Sequence, residues 1–286
     1  MKKRTVLLLA LCLFLLTACA GAGTPAPGGT PSDPDFQNPG SEGTQPAVIE
    51  DGPPWFATFR IVAGAETGQL VLAENGDAGA GIYTLSMGSL EFEPQFTEPL
   101  RNGQLINVYY ESFTEAWPMD LGGVSAIELV EAGFDDRTAL YLDVLEDLWE
   151  ADSGLNDGVE VIGVDLSQTS LSPAEQAAAA WIFAGNHGVE LVEGTLEALM
   201  DQGYITGDPL GTEDAPSDAK FWHWENGCHF SITEQPMEGT YSLTPVTFDA
   251  MKWRSSLGAY FFSDCTAVQS DLGEWSEYRI GAEMIS

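Results

Sequence analysis

Residues 20–54 contain eight Pro and seven Gly, with Ser, Thr and Asp among the rest and no Lys or Arg. Such a stretch cannot bury enough apolar side chains to offset the entropy of ordering itself, so it reads as a linker. It confines every folded element to residues 55–286. As a flexible chain it reaches on the order of 30–40 Å, more where Pro stiffens it.

What precedes the linker looks like an address. Met1-Lys2-Lys3-Arg4 is a cationic start, and Val6–Leu16 is an unbroken apolar run of eleven residues. That run is too short to cross a bilayer comfortably, and its flanks are those of an export signal. Leu16-Thr17-Ala18-Cys19 follows. It resembles the lipobox of bacterial lipoproteins, in which the Cys is acylated and becomes the new N-terminus. The resemblance implies a chain anchored at Cys19 by acyl groups such as palmitate, on the extracytoplasmic face of the cell membrane. An ordinary secretory signal that happens to hold a Cys is the simpler alternative.

The charge sharpens once the leader is set aside. The leader carries three of the ten basic residues, leaving seven against 44 acidic ones, a net of −37. Phosphate backbones are bound by Lys and Arg that replace counterions, so this balance excludes nucleic acid as a partner. Anionic head groups would repel the chain, and attachment to a bilayer falls to the acyl chains alone. The acidity serves solubility or, as the sharper reading, cation capture.

Five short runs between 55 and 131 alternate or are wholly apolar: Phe59–Val62, Gln69–Leu72, Ile82–Leu85, Leu105–Tyr109 and Ala126–Val130. Turn residues at Asn75-Gly76-Asp77 and Asn102-Gly103 separate them. Five strands in about 75 residues suit a small closed barrel, which leaves no open sheet edge. Leu100-Arg101-Asn102-Gly103-Gln104, Val108-Tyr109-Tyr110-Glu111, Glu115-Ala116-Trp117-Pro118, Val124 and Ile127 together resemble a small OB-like barrel domain. That domain recurs in uncharacterised lipoproteins of Gram-positive bacteria. The resemblance implies a fold and a compartment; it carries no functional residues.

Residues 132–286 read as an α+β domain. Leu140, Val144, Leu145 and Leu148 give Asp135–Ala151 a helical period. Val159–Leu166 reads as a buried strand. Ser172-Pro173-Ala174-Glu175 is a helix start with a capping box, and that helix stops near Gly188. Thr195–Gln202 is a shorter helix. Asn226-Gly227 between Phe221–Glu225 and Cys228–Thr233 signals a type I′ hairpin. On that hairpin Trp222, Trp224 and His229 share one face, and His223, Cys228 and Phe230 share the other. Further strands are expected at Val246–Phe248, Ala259–Phe262 and Tyr278–Ile280.

Chemistry is sparse in this chain. After the leader only Cys228 and Cys265 remain, which in an exported chain suggests one disulfide; two buried free thiols are the alternative. No Cys/His spacing suits zinc, and the Asp152–Asp157 loop lacks the order of a calcium loop. No cofactor motif is present. Ser217-Asp218-Ala219-Lys220 spells the Ser-x-x-Lys of penicillin-interacting enzymes but lacks its companion motifs. His187 sits where it meets a helix dipole. The eight Trp are the one enriched type. Trp222, Trp224 and His229 form a candidate ligand face for a sugar or a peptide, unless that face packs inside the fold. Two functions remain open: a non-enzymatic binding module for a protein or carbohydrate, and an exported hydrolase of envelope or sugar polymers working through paired carboxylates and Trp. The absence of a nucleophile motif favours the first.

Overall fold

The computed structural model describes residues 55–76, 81–94, 96, 98–210, 219–235 and 245–286. The leader with Cys19, the Pro/Gly linker and Ser217-Asp218 of the Ser-x-x-Lys sequence lie outside them. The described residues are mostly β, in two sheets.

The first sheet holds all five runs read from the sequence and two more short strands. They are β1 (Trp55–Ala63), β2 (Gln69–Glu74), β3 (Ile82–Ser86), β4 (Leu105–Tyr110), β5 (Ser112–Phe113), β6 (Met119–Gly122) and β7 (Ala126–Val130). Their order is β5-β6-β3-β2-β1-β4-β7. One stretch of chain, 119–130, serves both ends: β6 runs parallel to β3, and β7 antiparallel to β4. Between them Gly123 takes φ 63°, and a Cβ there would lie 2.8 Å from Glu111. A Gly is therefore required at the bend, and the sheet curls into a half-barrel. The full closure expected from the sequence is broken at this bend, because β6 and β7 are two strands and not one. Phe59, Ile61, Leu70, Leu72, Ile106 and Val108 fill the inside.

The second sheet follows α1 (Arg137–Glu150) and contains β8 (Val161–Gln168), β9 (Glu190–Glu193), β10 (Thr206–Pro209), β11 (Lys220–His223), β12 (Gly227–Glu234), β13 (Val246–Ser255), β14 (Gly258–Gln269), β15 (Trp275–Arg279) and β16 (Ala282–Ile285). Its path is β10-β11-β13-β12-β8-β9, with β14 on the other side of β13. Between β8 and β9 runs α2 (Pro173–His187), started by the expected capping box: Ser172 Oγ accepts from Glu175 N, and Glu175 accepts from Ser172 N. Gly188 ends it in the left-handed region. After β9 comes α3 (Leu196–Asp201), capped by Thr195. Even-numbered residues of β8 (Ile162, Val164, Leu166) meet α1 and α2 in the main core. Val161, on the odd-numbered face, joins Leu199 of α3, Ile205 and Trp224.

The two sheets share a buried interface. Val62, Ala73 and Ile82 on the outside of the half-barrel pack on Ala174, Ala177 and Ala178 of α2. Arg60 Nε lies 2.7 Å from Glu175 across the same junction.

The expected hairpin does not form. β11 and β12 do not pair with each other; both lie on one edge of β13, where His223 faces Ser255 and His229 faces Trp253. The chain runs on past Asn226-Gly227 without reversing. Gly227 is absent from the positive-φ glycines, a conformation a type I′ turn requires. Its role is space: a Cβ on Gly227 would fall 2.0 Å from Cε2 of the Trp224 indole.

The disulfide is also corrected. Cys228 and Cys265 are buried free thiols. Cys265 on β14 is level with Phe248, which faces Glu234 on β12. Cys228 is six residues from Glu234, on a strand two removed from β14. At about 3.3 Å per residue and 4.8 Å per strand the two are roughly 20 Å apart, against the ~7 Å limit for a bridge. Burial pushes each thiol up to about 11.

Lys252 has an unexpected place. It continues the inward set Val246, Phe248, Ala250 of β13 and is fully buried. Its Nζ donates to the carbonyls of Trp149, Ala151 and Asp152 at 3.1, 2.9 and 3.3 Å. These include carbonyls that the end of α1 leaves without a helical partner, so a cation here caps the helix.

Candidate functional site

β12, β8 and β9 are parallel. The chain leaves β8 through α2 to β9, and later returns through β12 on the other side of β8. Strand order therefore diverges at β8, and in open α/β sheets ligands sit outside the carboxyl ends at such a point. A cleft opens there. Its part toward α2 has a volume of about 330 Å³, with Gln176 and Glu193 in its wall. Its part toward α3 has about 320 Å³, with Glu197, His229 and Ser231 in its wall. Asp165, Ser167 and Thr195 line both, so the two parts adjoin along these residues.

Local structure places each group. Asp165 is on the odd-numbered face of β8, two residues before Ser167, and its Oδ1 accepts from Ser167 N at 2.9 Å. Thr195 caps α3, its Oγ1 accepting from Ala198 N. Glu197 lies in the first turn of that helix. His229 is 1% exposed. Room for its ring exists because residue 163 on the neighbouring strand is Gly, whose Cβ would lie 3.1 Å from His229 Cδ2.

The His229 Nε2 lies 3.1 Å from the Gly194 carbonyl oxygen. A carbonyl only accepts, so Nε2 carries the proton and Nδ1 carries a bare lone pair. That Nδ1 is buried and has no hydrogen-bond partner among the described residues. Burial holds the imidazole below its ordinary value of 6.5; the Gly194 bond and the charges of Asp165 and Glu197 oppose this without overcoming it. The ring is a neutral acceptor at neutral pH.

Of the three residues read as a ligand face, His229 lines the cleft and the two tryptophans do not. Trp224 is 2% exposed and belongs to the cluster of Val161, Leu199 and Ile205. Trp222 is half-buried against the same cluster, with Lys220 Nζ 5.1 Å from its ring. Trp253 packs there too, whereas Trp275 lies in the main core. The open indoles are Trp55 and Trp117, 56% and 53% exposed, both on the half-barrel. His187 pairs with Glu146 at 2.8 Å and stacks on Trp149 at 3.9 Å between ring centres. His223 lies 3.8 Å from Asp208.

Asp165, Thr195 and Glu197 were not singled out by sequence. The signal that could have found them is the order strand, capped helix, strand from 161 to 193, which marks a parallel crossover and so the end of the sheet where a site belongs.

Cations are absent from the cleft wall. Arg60, Arg254 and Lys252 donate to backbone carbonyls, and Arg101 and Arg137 pair with Glu274 and Glu234. Among the described residues no group of three or more His, Cys, Asp or Glu is placed to hold a metal ion, and no helix is long and apolar enough to cross a membrane. No protein family, no curated protein and no solved structure matches the chain.

Proposed function

We propose that this chain is a membrane-anchored extracytoplasmic lipoprotein, acylated at Cys19, that acts as a binding module with its ligand seated in the cleft beside His229. The single observation that carries the binding reading is the buried, unpartnered Nδ1 lone pair of His229 in the cleft wall that Asp165, Thr195 and Glu197 also line. A buried acceptor left without a partner costs about 1–3 kcal/mol, a deficit that a donating ligand removes. The sequence from Lys2 to Cys19 supports the anchor, and the Pro/Gly stretch supports a spacer that keeps an acidic body off the bilayer surface. The half-barrel, with chain 119–130 pairing to both β3 and β4, supports an OB-like barrel as the N-terminal folded part.

Binding is favoured over catalysis because no described hydroxyl is hydrogen-bonded to His229, whose bond goes to a carbonyl. The hydrolase reading keeps one specific support: Asp165 and Glu197 lie in the same cleft.

A thermal-shift screen of the full chain tests the reading. Sugars, short peptides and amines are compared on the wild type and on Thr195→Trp, which fills the cleft. The reading expects at least one class to raise the melting temperature of the wild type and not of the variant. Equal stabilisation of both, or none, contradicts it. Polymer cleavage lost in both Asp165→Asn and Glu197→Gln would establish the hydrolase instead.

A further inference from the structure

We infer that the cleft takes a small organic cation bearing N–H donors, a primary or secondary ammonium, held between His229 and Asp165. The inference rests on the binding reading above and names its ligand class.

The charged groups and the imidazole of the cleft wall all accept, beside the amides of Gln168 and Gln176, which both accept and donate. Asp165, Glu193 and Glu197 supply carboxylates, and His229 supplies a bare nitrogen. Ser167 and Thr195 add hydroxyls that both accept and donate. No Lys or Arg lines either part, so an anionic ligand would meet three carboxylates and no counter-charge. Burying such a like-charged pair is strongly unfavourable.

The shape of the wall then separates kinds of cation and neutral donors. Quaternary ammonium groups carry no N–H and are held over aromatic faces. Sugars stack on aromatic rings while polar groups fix their hydroxyls. No Trp, Tyr or Phe lines either part of the cleft. An ammonium with N–H donors needs no ring. It makes charge-assisted bonds to carboxylates, and these are shorter and stronger than neutral ones. One N–H directed at His229 Nδ1 satisfies the one buried acceptor of the wall that has no partner. The volume of about 320 Å³ of the part that His229 and Asp165 line sits at the small end of ligand sites, which sets the ligand at metabolite size. The chain's net of −34 also raises the local concentration of cations around it.

Isothermal titration of the full chain with n-butylammonium, 1-butanol, erythritol, tetramethylammonium and butyrate tests this. Butylammonium should bind at least tenfold more tightly than 1-butanol, and tetramethylammonium and butyrate should give no saturable heat. Asp165→Asn should weaken butylammonium at least tenfold. Since that change removes one carboxylate of 44, it leaves the general attraction of cations intact. His229→Phe should weaken it as well, and Asp165→Asn keeps the test decisive if the histidine variant does not fold. Erythritol or butyrate binding as tightly as butylammonium overturns the inference while leaving a binding cleft in place. Butylammonium heat unchanged in both variants overturns it by showing attraction to the surface only. A ligand found by thermal shift that is blocked by Thr195→Trp, with no butylammonium binding, overturns the ligand class and keeps the binding reading.

Discussion

His229 and Gly194 are joined by one hydrogen bond, Nε2 to carbonyl oxygen at 3.1 Å, and that bond decides which nitrogen of the buried ring is left as an acceptor. Without it either tautomer would serve. With it, Nδ1 is the acceptor and the ring enters the low-pH range as a liability.

The pH dependence follows from this. Burial lowers the folded-state value below the ordinary 6.5, so the unfolded chain binds the proton more readily. Stability from this group is complete above pH 6.5 and falls as the pH drops through 6.5 toward the folded value. Asp136 and Asp143 act in the opposite sense, since burial raises both above 3.8 and the folded form then holds protons more tightly, an effect that the wild type and a His229 variant share. Melting temperatures between pH 7.5 and 5.5 should therefore fall more steeply for the wild type than for His229→Phe. Identical slopes would show that the ring charges freely inside the fold.

Gly227 and Trp224 form a second testable pair. Gly227→Ala puts a Cβ 2.0 Å from the indole and should cost about 3 kcal/mol. Trp224→Ala empties a site that is 2% exposed and should cost roughly 3–5 kcal/mol. In the double variant the added methyl meets no indole, so its cost should largely vanish, a coupling that denaturant melts of the four chains measure. Additive costs would mean that residue 227 is Gly for its backbone and not for space.

The cysteines allow a chemical check. Denatured without reductant and treated with iodoacetamide, the chain should carry label on both Cys228 and Cys265. In the native state both should react slowly, being buried with thiols pushed up to about 11. A chain that takes label at neither position until reduced would restore the disulfide.

Lys252 should be intolerant of a neutral replacement of similar length. Lys252→Met leaves three carbonyls without their donor and should destabilise the chain by about 2–4 kcal/mol. A variant as stable as the wild type in chemical denaturation would show that the end of α1 does not need the cation.

Local rules made part of this fold legible. The five runs of the half-barrel and the capping box at Ser172 appear where strand alternation and cap chemistry put them, because those signals act within a few residues. Asn226-Gly227 misled for a physical reason: the pair that makes a tight turn also appears where a neighbouring ring needs the volume of a missing side chain. Only the pairing of both flanking segments with β13, far along the chain, tells the two apart, and burial of the Trp224 ring removed the proposed Trp222–Trp224 face. The cysteine pair misled similarly, since counting thiols says nothing of strand order, and β13 separates them. The cleft was least legible. Asp165 and Glu197 are two among 44 acids, and only the parallel arrangement of β12, β8 and β9 draws them to His229.

The most direct measurement is nitrogen-15 NMR of the His229 imidazole in the full chain. The account predicts a protonated Nε2 and an unprotonated Nδ1 with the signature of a free lone pair, which shifts toward the hydrogen-bonded position as n-butylammonium is added. An Nδ1 that carries the proton, or an Nδ1 signal that the ammonium ion leaves unmoved at saturation, would contradict it.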